Sequence, residues 1–186
     1  VIAAPPRRAS GPPPRAQLDF ILPDLRHLDE HPADLVALGT FSDEHPFEGL
    51  AGAVDWRLCS ALSHWRRGGL STGAAGERVL YPSQHRLTTP RLMLVGLGPR
   101  PVFSPERALE IARATAAAAV TLGAARIITT LFGLDHLATP LERTAAPLVH
   151  ALLETPGLSR VTLAVPAPIA HVTREALTFH ARTRGY

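Results

Sequence analysis

The residue types best suited to chemistry lie in two glycine-containing turns. The first is Glu48-Gly49-Leu50-Ala51-Gly52-Ala53-Val54, ten residues after the apolar run Ala33-Asp34-Leu35-Val36-Ala37-Leu38-Gly39, at the mouth of a helix-spaced pattern. Small residues at a helix N-terminus expose unpaired backbone N–H groups at the positive end of the helix dipole, an arrangement that suits a diphosphate. The same residues also serve plain close packing, and short motifs of this kind are unspecific. The second turn, Thr129-Thr130-Leu131-Phe132-Gly133, follows another apolar run. After a strand, such a turn faces the C-terminal edge of the sheet, where α/β proteins bind ligands. An ordinary strand-to-helix connection reads the same way.

Other reactive residue types form no recognisable constellation. His45 follows Asp43-Glu44 and His136 follows Asp135, but no HExxH or paired helical histidine spacing occurs among the nine histidines. They read as solvated loop residues, and no metal site is expected. Ser42, Ser60, Ser63 and Ser83 occupy no nucleophile-elbow context. Cys59 falls inside a helical pattern and reads as a small buried apolar residue. Trp56 and Trp65 read as core or interface side chains. No catalytic residue and no cofactor follow from these patterns.

The elements that must position the turns are legible from periodicity. Short apolar runs over residues 18–22 and 33–39 predict strands, as do 78–81, 91–97, 126–130 and 160–165. The run Leu92-Met93-Leu94-Val95 is continuously apolar, as expected of a strand covered on both faces. Leu50, Val54, Leu58, Ala61, Leu62 and Trp65 predict one helix, ended by Gly68-Gly69. Ser104-Pro105 caps a second helix running to Leu122, with Gly123 as its stop. Thr139-Pro140-Leu141-Glu142 is a capping box opening a third, which Pro156-Gly157 closes. A final helix places Ile169, Val172, Ala176 and Phe179 on one face. Strands alternating with helices predict an α/β fold, a mixed, mostly parallel sheet between two helical layers.

With 186 residues, 46% of them hydrophobic, the chain suits one well-filled domain. Residues 1–16 contain five prolines and Arg7, Arg8 and Arg15 without any acid, and read as a disordered linker preceding a domain over 17–186. The formal charge of +3 lies in that segment; beyond it, 16 arginines face 16 acids. Nucleic-acid binding is therefore not implied. The complete absence of lysine suggests a high-GC coding background. One cysteine excludes an intrachain disulfide and points to a cytoplasmic protein. No apolar run is long enough to span a bilayer, and no signal-peptide layout appears at the N-terminus. A start at Val1, without methionine, predicts a piece of a longer protein or a processed product.

The stretch from Asp34 through Leu131, with Tyr81-Pro82 and Leu94-Val95-Gly96-Leu97-Gly98, resembles the N-terminal domain of the leucyl aminopeptidase family. That domain is a variant macro fold, so the resemblance implies a three-layer α/β/α macro-domain-like architecture. The order strand, GLAGAV turn, helix, then late TTLFG turn is also similar to ADP-ribose-binding macro domains. By that resemblance Asp34 matches the acid that hydrogen-bonds adenine. Gly49, Leu50, Ala51, Gly52, Ala53 and Val54 match the diphosphate loop, and Thr129, Thr130, Leu131, Phe132 and Gly133 the second phosphate loop. Where ADP-ribosyl-hydrolysing macro domains carry asparagines this chain reads Leu38-Gly39-Thr40-Phe41, so hydrolysis is not expected. Thr130 stands where binders have glycine, and its Cβ would crowd a phosphate. The aminopeptidase's two-metal site requires converging carboxylates and a lysine; here the acids are scattered and lysine is absent.

The resemblance thus implies a non-catalytic macro-like module for protein interaction or assembly within a larger protein, its partner a separate protein or a fused effector domain, as in bacterial multidomain proteins. The alternative is a sensor for ADP-ribose or a related nucleotide.

Overall fold

A computed structural model describes residues 15–183. Six strands, β1 (Gln17–Ile21), β2 (Leu35–Thr40), β3 (Arg78–Pro82), β4 (Arg91–Gly96), β5 (Arg126–Thr129) and β6 (Arg160–Ala164), form one sheet in the order β1-β6-β5-β2-β4-β3. Every neighbouring pair is parallel except β3 with β4, so the sheet is mixed and mostly parallel. Six helices accompany it: α1 (Leu25–Glu30), α2 (Gly49–Arg57), α3 (Ala61–Arg67), α4 (Pro105–Thr121), α5 (Leu141–Leu153) and α6 (Ala167–Thr183).

Strand alternation divides the apolar residues between two cores. Leu35 and Ala37 of β2, with Met93, Val95, Ile127 and Val161, face the layer built from α4, α5 and α6. Val36 and Leu38, with Leu92, Leu94 and Ile128, face α1, α2 and α3. Both faces of β2 and β4 are thereby covered, which is why those strands are apolar at successive positions. Each fully buried leucine contributes about 1.5–3 kcal/mol by leaving water.

Several local expectations change. The single helix expected from Leu50 to Trp65 is two, because Cys59 and Ser60 adopt left-handed φ of 56° and 62° that no α-helix accommodates. The break is held by Asp55, whose carboxylate accepts the N–H groups of Leu62 (2.8 Å) and Ser63 (3.1 Å) and so caps α3. Cys59 is exposed at this break instead of buried, and Trp56 is largely exposed as well. An unpredicted helix, α1, is capped by Asp24, which accepts the His27 N–H at 2.9 Å. The Thr139 capping box does not form: α5 begins at Leu141 with Pro140 as its N-cap and no side-chain cap bond. Ser104 does cap α4, accepting the Arg107 N–H. On α6 the buried positions include Ala170, Thr173 and Ala176, while Phe179 is exposed.

The linker expected over residues 1–16 lies outside the described residues up to position 14. Ala16, however, is part of the fold: it is buried and donates its N–H to Leu153 O at 3.1 Å. No helix among the described residues is long and apolar enough to cross a membrane.

Candidate functional site

The parallel strands deliver their C-terminal ends to one edge, and a cleft of about 250 Å³ opens there. Leu38, Gly39 and Phe41 enter it from the end of β2, and Gly49, Leu50 and Ala51 from the first turn of α2. The turn after β5 adds Thr130, Gly133, Asp135 and His136. Glu44 and Glu48, on the loop joining β2 to α2, complete the mouth.

The first-turn N–H groups of Gly49, Leu50 and Ala51 have no acceptor within α2, whose first helical bond is Gly52 N to Glu48 O at 3.0 Å. Glu48 makes no side-chain cap bond. The neighbouring loop amides, in contrast, are occupied by the protein itself. Glu44 is only 6% exposed, and its carboxylate accepts the N–H of Phe41 at 3.0 Å and that of Glu48 at 2.9 Å. One cation answers these acids. The Arg100 guanidinium lies 3.1 Å from Glu48 and 3.9 Å from Glu44, and over the Phe41 ring at 5.1 Å. Asp43 anchors the same segment by accepting the Arg100 N–H. A carboxylate already fills part of the loop where an anionic ligand would sit, and two more line the cleft.

The cleft thus lies at the C-terminal edge of the parallel strands, where α/β folds gather their loops. The model for the N-terminal domain of the cytosol aminopeptidase family matches residues 37–155. The chain belongs to this family. No curated protein matches it in sequence. Among solved structures it is similar to a tomato leucine aminopeptidase variant at 19% identity and TM-score 0.64, covering 91% of this chain and 37% of that one. It is also similar to an Oceanobacillus iheyensis macrodomain with ADP, at 13% identity and TM-score 0.69, covering 89% and 92%. A Trypanosoma brucei macrodomain in complex with ADP gives 12% identity and TM-score 0.67, covering 87% and 69%. The three-layer macro-domain-like fold follows from these likenesses. The chain spans 37% of the tomato enzyme's length.

Within this aminopeptidase N-terminal domain the residues singled out from sequence separate into three groups. Gly49, Leu50, Ala51, Thr130 and Gly133 line the cleft. Gly52, Ala53, Val54, Thr129, Leu131 and Phe132 do not line it. Val54, Thr129, Leu131 and Phe132 are buried packing residues, and Phe132 holds a left-handed φ of 49°. At Gly52 an added Cβ would stand 2.4 Å from Phe47 O, so this glycine serves packing of α2 on its own loop. Gly133 is left-handed at φ 82°, with Phe41, Leu97 and Phe103 crowding its Cβ position.

Asp34 is the main correction. It precedes β2 and therefore sits at the opposite, N-terminal edge of the sheet from the cleft. Its carboxylate accepts the N–H of Ala125 (3.0 Å), the N–H of Arg126 (2.8 Å) and the Arg126 guanidinium (2.7 Å). The Arg126 side chain foremost, then the backbone amides, hold its pKa below the ordinary carboxylate value. It joins β2 to β5 and has no route to an adenine in the cleft.

Glu44, Glu48, Asp135 and His136 were not singled out as ligand-facing from sequence. The pairs Asp43-Glu44 and Asp135-His136 were visible, but only the chain path turns them toward one cavity. No group of three or more potential metal ligands occurs among the described residues.

Proposed function

We propose that this aminopeptidase-family N-terminal domain is a non-catalytic module for protein interaction or assembly within a larger cytoplasmic protein, and that its cleft does not take a diphosphate. The observation that carries this reading is the Glu44 carboxylate on the Phe41 and Glu48 N–H groups, with Glu48 and Asp135 beside it. Arg100 offsets part of this charge, and the three carboxylates still leave the site net negative, which opposes a ligand that brings further negative charge. Large apolar side chains left to solvent, among them Trp56, Leu70 and Val102, support a partner-facing role. The missing lysine and scattered acids support the absence of the family's metallopeptidase chemistry from this segment.

The second reading, a sensor of ADP-ribose or a related nucleotide, draws on the open amides of Gly49, Leu50 and Ala51 and on the fold's likeness to macrodomains crystallised with ADP. Calorimetric titration with ADP-ribose separates the two. No saturable heat up to millimolar ligand is expected; micromolar binding selective over ATP would replace the first reading with the second.

A further inference from the structure

A second cavity, of about 490 Å³, opens beside the α2–α3 break and is lined by His45, Phe47, Ser60, Ser63, Arg66 and Arg67 among others. Its chemistry is the reverse of the cleft's: it has two guanidiniums and no acid in its lining. Arg66 is the unusual member, because it is only 8% exposed yet hydrogen-bonds neutral acceptors alone. Its Nη1 donates to Phe41 O (2.9 Å) and Thr72 O (3.3 Å), and its Nη2 to Thr40 Oγ1 (2.9 Å). Its Nε is buried without an acceptor, and the Phe47 ring packs 5.0 Å from the guanidinium carbon. Burial pulls its pKa below the ordinary arginine value, against the more distant charges of Glu44 and Glu77. A buried cation without a contacting counter-ion is costly, and an anion placed beside it relieves that cost.

The surrounding groups fit such an anion. Arg67 is exposed at the rim and forms no ion pair among the described residues. Ser60, the residue before α3, makes no cap bond, so its hydroxyl is free to donate. Asp55 does not compete for these donors, since its carboxylate accepts the Leu62 and Ser63 N–H groups and the Ser63 hydroxyl. The Phe47 ring supplies an apolar wall.

We propose that this cavity is a binding site for a phosphate monoester carrying a flat apolar group, the phosphate between Arg66 and Arg67 and the apolar group against Phe47. The cavity is large enough for a small organic ligand as well as its anion. Arginine guanidiniums and a hydroxyl are donors of the kind that phosphate oxygens accept.

Residue-resolved NMR titration at low ionic strength tests the site with inorganic phosphate and with phenyl phosphate, using sodium chloride as the screening control. Saturable shifts are expected at His45–Phe47 and Ser60–Arg67, with phenyl phosphate binding more tightly than phosphate. Arg67→Ala, at an exposed position that leaves the fold intact, is expected to weaken binding by about fivefold or more. Equal affinity in Arg67→Ala, shifts centred on Gly49–Ala51 instead, equal affinity for the two probes, or no saturable shift would each overturn the proposal.

Discussion

Asp34 and Arg126 meet at 2.7 Å across 92 residues of sequence, tying the start of β2 to the start of β5 at the sheet edge remote from the cleft. The contact makes Asp34 a clasp of the fold, and its removal is a stability experiment. Asp34→Ala leaves the Ala125 and Arg126 N–H groups without their acceptor, and we expect a loss of about 1–3 kcal/mol in denaturant unfolding. Because the folded carboxyl has a depressed pKa, its contribution is complete above the unfolded value of about 3.9 and fades as pH falls toward the folded value. The stability gap between wild type and Asp34→Asn should therefore narrow as pH drops from 6 toward 3. A gap that stays constant would mean that the charge contributes nothing.

Glu44 holds two loop amides and contributes negative charge at the mouth of the cleft. Glu44→Ala should destabilise the domain by about 1–3 kcal/mol, since the Phe41 and Glu48 N–H groups lose their acceptor. It should also admit anions, so that ADP-ribose gives saturable heat in calorimetry where the wild type gives none up to millimolar ligand. Lost stability without any gain in binding would show that another feature closes the cleft.

Gly52 and Gly49 differ in what they tolerate, although both belong to the same GLAGAV turn. Gly52→Ala drives a Cβ against Phe47 O at 2.4 Å and should cost about 1–3 kcal/mol as the loop is forced to move. Gly49→Ala meets no atom within 4 Å, and its cost is the left-handed φ of 53°, about 1–2 kcal/mol. Solving both variants by crystallography distinguishes the causes: a displaced 41–48 loop is expected in Gly52→Ala only. An undisturbed loop there would remove the packing account.

The sequence by itself determined the framework. Short apolar runs located all six strands, and in β2 and β4 the run is continuous because a strand buried on both faces leaves no position for a charge. Glycine and proline punctuation located α4 and the end of α5, since those residues act through local backbone geometry. The two turns at the cleft were legible for the same local reason. Tertiary structure decided what the turns do. The break between α2 and α3 depends on Asp55 reaching Leu62 and Ser63, a capping contact that helical spacing conceals. Asp34 was matched by its place in a motif, yet its partner Arg126 comes from a different strand, and only strand order brings the two together. The charge of the cleft was likewise hidden. Asp43-Glu44 is a common acidic pair in one dimension, and it becomes an occupied anion cradle only when the loop folds Glu44 back onto the Phe41 and Glu48 amides. Local propensity sets elements, whereas the direction of a side chain depends on neighbours far along the chain.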